Sequence, residues 1–115
     1  MEESPIDRTV YAQLAETAGA EFVADLADTF IEEATGMLAE LRSARAANHA
    51  DRFRRAAHSL KTNSNTFGAT RLGALARDLE LKGLDSDPVR DEAAIAALEV
   101  EYGRAAAALR DLRNG

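Results

Sequence analysis

The chain has 115 residues and a net charge of -6, with no cysteine. Its length suits one domain with a single core, spanning residues 1–115, and the lack of thiols excludes disulfides and thiolate metal sites and fits a reducing compartment. Alanine, leucine, arginine and glutamate dominate, no stretch alternates apolar and polar residues as a strand does, and no apolar run approaches the ~20 residues needed to span a bilayer. A soluble, cytoplasmic, helical protein is the expectation. The acidic start, Met1 to Pro5, is unlike a secretory signal.

The first helix is expected over 7–18, short, with Asp7 as N-cap, an apolar stripe of Val10, Leu14 and Ala18, and Gly19 at its end. The second runs over 21–46. Its apolar residues, from Phe22 and Val23 through Phe30, Ile31, Leu38 and Leu41, cover an arc of about 180°. A helix facing one core needs a stripe of only about 100° or somewhat more. Either neighbouring helices cover both edges of the arc, or one edge stays open to dock a partner. Ile31 and Leu38 lie at one edge and are the docking candidates; Phe22 lies at the other.

Asn48 is the expected N-cap of the third helix, with Asp51 at N3. Phe53, Ala56, Ala57, Leu60 and Ser64 form its inner face. Asp51, Arg54, Arg55, His58, Lys61, Thr62 and Asn65 form its outer face, so helical periodicity turns His58 outward. Phe67-Gly68 closes it. The fourth helix, 69–83, has a core stripe of Leu72, Leu75, Ala76 and Leu79. Gly83 and the run 85–88 make a loop, with Asp87 as N-cap and Pro88 at N1 of a fifth helix over 88–113. There Ile95, Leu98, Tyr102, Ala105, Leu109 and Leu112 step by three and four, a seam for left-handed packing. Short loops between long amphipathic helices make antiparallel neighbours. The expected fold is all-α: an antiparallel up-down four-helix bundle with a short additional N-terminal helix.

The charge is uneven. Eight cations and one anion lie between Arg42 and Arg77, against six cations and nineteen anions elsewhere. A basic centre in an acidic chain points to a local anion site more than to a nucleic-acid coat. His49 and His58 fall about 180° apart on one helix and cannot share a metal there. No Glu-x-x-His pair, phosphate-cradling glycine loop or EF-hand spacing is present. What remains is His58 among Arg54, Arg55, Lys61 and Thr62, where a neutral imidazole is a competent nucleophile toward phosphorus and cations stabilise phosphoryl oxygens. By spacing alone, an idle exposed histidine on a basic face fits as well.

Ala57-His58-Ser59-Leu60-Lys61, then Phe67-Gly68-Ala69, Leu72 and Leu79-Glu80, resembles the histidine-containing phosphotransfer (HPt) domains of multistep phosphorelays. The resemblance reaches nearly the whole chain, through Ile6-Asp7, Phe30, Leu41 and the terminal helix. It departs at Thr62, where the family often has glycine; a hydroxyl there either is tolerated or donates to the phosphoryl group. The resemblance implies that His58 takes a phosphoryl group on Nε2 from a receiver-domain aspartyl phosphate and passes it to another receiver. Lys61 would stabilise phosphoryl charge, with Arg54, Arg55, Thr62 and Asn65 around it, and Gly68 would serve the backbone. Glu80 would bond Nδ1 and fix the tautomer. The turn at Gly68, ten residues after His58 and twelve before Glu80, brings the two to similar heights. The alternative for Glu80 is a salt bridge with Arg77 or Arg54.

The implied partners are response-regulator receiver domains and a hybrid histidine kinase. The expected protein is a free-standing monomer, a phosphoryl carrier with no ATP-binding portion. It has no bound cofactor or metal, and Mg²⁺ sits on the partner receiver. The competing readings are a helical interaction module that binds a receiver or kinase without accepting phosphate, and a nucleic-acid binder. The second is disfavoured by the acidity and by the lack of stacking aromatics on the basic helix.

Overall fold

The computed structural model describes residues 5–84 and 87–114. Among them are five helices and no strand: α1 (Arg8–Ala18), α2 (Ala20–Ala46), α3 (Ala50–Thr66), α4 (Thr70–Lys82) and α5 (Pro88–Asn114). Asp85 and Ser86, part of the expected α4–α5 loop, lie outside the described residues, as do Met1 to Ser4 and Gly115. α2 packs on α3, α3 on α4, α4 on α5, and α5 back on α2, closing a four-helix ring; α1 lies against α2. Antiparallel order is visible in the cross-links between α2 and α5. Arg113 reaches Asp28, Tyr102 reaches Ile31, and Arg42 reaches Glu99, so one helix descends as the other rises.

The helices begin and end for local reasons. Asp7 caps α1 by accepting from the Thr9 N–H at 3.0 Å, and Asp87 accepts from the Val89 N–H at 3.0 Å, with Pro88 opening α5. The start of α3 differs from expectation. Its N-cap is His49, whose Nδ1 accepts from the Arg52 N–H at 3.2 Å. Asn48 instead ends α2. It takes a left-handed φ of 53°, its N–H donates to Arg45 O at 3.1 Å, and the His49 N–H donates to Ala44 O at 2.9 Å. Asparagine tolerates that conformation, and the paired bonds satisfy two terminal carbonyls of α2. The same motif ends α3: Gly68 has φ 75°, its N–H donates to Asn65 O, and the Ala69 N–H donates to Ser64 O.

Gly68 is also a contact point. The Asp7 N–H donates to Gly68 O at 2.8 Å, and a Cβ at Gly68 would lie 3.0 Å from Asp7 Cβ, Asp7 O and Val10 Cβ. Together with the buried Ile6, this seats the start of α1 on the α3–α4 turn. The inner face of α3 is the one expected, Phe53, Ala56, Ala57, Leu60 and Ser64. On α4, Gly73 is buried where Leu75 is only half-buried. Phe30 and Phe67 pack with ring centroids 5.3 Å apart, tying α2 to the end of α3.

The wide apolar arc of α2 is covered unequally. The Ile31–Leu38 edge is closed: Leu38 is buried, Ile31 is half-buried against the core, and the Tyr102 hydroxyl of α5 donates to Ile31 O at 2.8 Å. These two residues therefore do not form an open docking patch, because α5 packs along them. The opposite edge is the exposed one, with Phe22 at 56% and Leu26 at 36% exposure. No helix of the described residues is long and apolar enough to cross a membrane.

Candidate functional site

His58 lies mid-α3 on its outer face, with 57% of its side chain exposed. The turn at Gly68 brings α4 back alongside, and Glu80 arrives opposite. His58 Nδ1 is 2.5 Å from Glu80 Oε2, and Lys61 Nζ is 2.7 Å from Glu80 Oε1. One carboxylate thus bridges the imidazole and the ammonium, one oxygen to each. An ionised carboxylate only accepts, so in the neutral ring Nδ1 carries the proton and donates it. Nε2 is left with its lone pair and no hydrogen-bond partner among the described residues. Glu80 is held ionised: the Lys61 hydrogen bond, followed by that of His58, lowers its pKa below the ordinary glutamate value against the opposing effect of burial. The alternative partners of Glu80, Arg77 and Arg54, are not the ones it takes.

The remaining expected residues divide by side. Arg54 and Arg55 stand one turn before His58, and both are anchored on Asp51. Arg54 Nη2 is 2.8 Å from Asp51 Oδ1, and Arg55 pairs with Oδ2. Those two guanidiniums, Arg55 foremost, hold the Asp51 carboxyl below its ordinary range. Arg54 borders a groove of about 660 Å³ between α3 and α4, with Glu80, Leu81 and Lys82. Arg55 borders a groove of about 420 Å³ between α2 and α3, with Glu33, Met37 and Ser59. The two arginines therefore flank His58 on opposite sides. Thr62 is exposed one turn after His58, and its carbonyl accepts from Thr66 Oγ1. Asn65 is two turns away, about 10 Å along the axis, and its amide lies over Gly73 of α4 instead of beside the imidazole.

Asp51, expected at N3 of α3 and on its polar face, also organises both arginines. Gly73 is not among the expected site residues. Asp51 was legible as the i−3 and i−4 neighbour of the arginines; Gly73 was legible only once the α3–α4 register was known. Among the described residues no cluster of histidine, aspartate and glutamate side chains is placed to hold a metal ion.

The basic centre is largely spent inside the fold. Arg42 binds Glu92 and Glu99, Arg45 binds Asp91, Arg52 binds Glu40, and Arg71 lies near Glu101. The segment's charge therefore stitches α3 and the end of α2 to acidic partners, and only the part near His58 fronts the site. What the site offers chemically is one nucleophilic nitrogen, aimed outward, with its tautomer fixed from behind and cations on either flank.

Comparison with known proteins agrees with that chemistry. The family model described as Hpt domain matches residues 25–114. A solved structure, histidine-containing phosphotransfer protein B (HptB) from Pseudomonas aeruginosa PAO1, is similar to this chain at 27% identity. It covers 98% of this chain and 97% of its own, with a TM-score of 0.84. No curated protein matches.

Proposed function

The chain belongs to the Hpt domain family, whose work is histidine phosphotransfer in phosphorelays, and we propose that it carries a phosphoryl group on Nε2 of His58 between receiver domains of a two-component phosphorelay. In the accepting step Nε2 attacks the phosphorus of a receiver's aspartyl phosphate in line. The Nε2–P bond forms as the P–O bond to the aspartate breaks, and the aspartate leaves as a carboxylate. Nδ1 keeps its proton, so the phosphorylated ring is cationic and the ionised Glu80 beside it offsets that charge. Lys61, held by Glu80 at 2.7 Å one turn after His58, is the ammonium available to share with the phosphoryl oxygens. Passing the group on reverses these steps at a second receiver. Mg²⁺ belongs to the receiver, and the carrier works as a cytoplasmic monomer.

Docking is assigned to the α2–α3 side of His58. The open edge of α2 presents Phe22 and Leu26, and two grooves lie between α2 and α3, one bordered by Leu26, Thr29 and Thr66 and the other by Met37 and Ser59, with Glu33 between them. This apolar surface with a charged rim comes as near the histidine as its chain neighbour Ser59 and Arg55 one turn before it, on the side where a receiver would dock.

The observation that carries the proposal is the single carboxylate that takes Nδ1 of His58 and leaves Nε2 open. The test is incubation with a receiver labelled on its aspartate. The protein should acquire an acid-labile, alkali-stable label, and His58→Gln should acquire none. Label persisting on His58→Gln would overturn the reading. Binding of the receiver by both proteins, with label on neither, would favour the interaction-module alternative.

A further inference from the structure

The antiparallel pairing that sets His58 against Glu80 also sets Asn65 against Gly73, seven residues nearer the Gly68 turn on each helix. A Cβ at Gly73 would overlap Asn65 Oδ1 and lie 2.9 Å from its Cγ. Gly73 lies inside α4, with no left-handed φ to demand glycine. Glycine is a poor helix residue there, so what it supplies is room. It is buried, and so are two small residues on its side, Ala76 one turn on and Ala69, the residue that caps α4. This strip of small residues lets α4 lie close to α3, and it ends at Glu80.

We propose that Gly73 and Asn65 are positioning residues for the phosphotransfer site. The Asn65 amide, seated on the bare backbone of α4, sets the α3–α4 spacing at which one Glu80 carboxylate meets both His58 Nδ1 and Lys61 Nζ. This rests on reading His58 as the phosphoryl acceptor. Neither residue touches the phosphoryl group. Gly73 and Glu80 share one face of a single helix, two turns apart, so whatever moves α4 at Gly73 moves the carboxylate at Glu80. A methyl at position 73 must push Asn65 aside or part the helices.

The test compares wild type, Gly73→Ala and the double variant Gly73→Ala with Asn65→Ala. Three quantities are read: the ring ¹⁵N shifts of His58, the rate of phosphoryl acceptance from a phosphorylated receiver, and the melting temperature. Alanine favours helix, so Gly73→Ala should fold with its melting temperature held or raised. Its His58 ring should nevertheless shift from the Nδ1–H toward the Nε2–H tautomer, and acceptance should slow at least about threefold, as small misplacements at a reacting centre do. The double variant replaces the amide with one methyl on each helix and should restore both. A Gly73→Ala protein with the wild-type ring pattern and rate would overturn the proposal, because the exposed Asn65 side chain would then have turned aside at no cost. So would a loss that Asn65→Ala does not relieve. If wild type takes no phosphate, the reading of His58 fails, while the ring shifts still decide the spacing.

Discussion

At the scale of single residues, the site depends on one carboxylate serving two cationic or potentially cationic groups. Lys61 keeps Glu80 ionised, and the ionised Glu80 keeps the proton of His58 on Nδ1. Removing the carboxylate frees the tautomer and, if His58 carries the phosphoryl group as proposed, removes the countercharge for the phosphorylated ring. Glu80→Ala should therefore slow phosphoryl acceptance roughly tenfold or more, measured in single-turnover transfer from a labelled receiver. The same residue carries a pH signature. Its folded pKa lies below the ordinary value, so its stabilising effect is present above that ordinary value and is lost as pH falls through the depressed folded pKa. In thermal melts from pH 7 down to pH 3, the advantage of wild type over Glu80→Gln should be full at neutral pH and shrink only at the acid end. An advantage unchanged across that range would remove the carboxylate's charge from the account.

At the scale of elements, the register of α3 on α4 is set where the chain turns. Gly68 reverses the chain with a left-handed φ, accepts the Asp7 N–H, and leaves no free space for a side chain against Asp7 and Val10. Gly68→Ala adds left-handed strain and three tight contacts. The expected loss is about 1–3 kcal/mol in urea unfolding. The first helix should loosen as well, seen as faster exchange of the Asp7 amide. An Asp7 amide that exchanges as in wild type would show that α1 is held by Ile6 alone. The other helix ends show why boundaries are harder to read than faces. Asn48 and His49 are adjacent and both polar; which one caps α3 depends on where α2 stops, and the carbonyls of Ala44 and Arg45 settle that in favour of ending α2 on Asn48.

At the scale of the whole molecule, the two edges of α2 have different surroundings. One edge of its apolar arc is buried by α5, through Leu38, Ile31 and the Tyr102 bond, and the other edge stays open at Phe22 and Leu26 beside the α2–α3 groove. Phe22→Glu should therefore leave the melting temperature within a degree or two, because the ring is more than half exposed. It should weaken receiver binding about tenfold, a cost in the range of a well-placed aromatic contact, seen as a higher receiver concentration for half-maximal transfer. A variant with unchanged concentration dependence would move docking to the α3–α4 side, where Arg54 and Leu81 border the other groove.

The sequence by itself determined the helices, the inner face of α3 and the outward position of His58, because each follows from a period of 3.6 residues acting on local composition. The family resemblance implied Glu80 opposite His58, and a turn at Gly68, ten residues from one and twelve from the other, was compatible with it; only the packing of α4 on α3 decided between that partner and Arg77 or Arg54. Only the tertiary structure decided which edge of the α2 arc is covered, because that depends on where α5 lands. It also decided the fate of the basic segment. In sequence those cations form a block, but Arg42, Arg45 and Arg52 each find a carboxylate on another helix or another turn. Charge counted along the chain cannot anticipate pairs that close across the bundle. The same holds for Asn65 and Gly73: one reads as polar surface and the other as a weak point in a helix, until the packing of α3 on α4 puts the amide on the bare backbone.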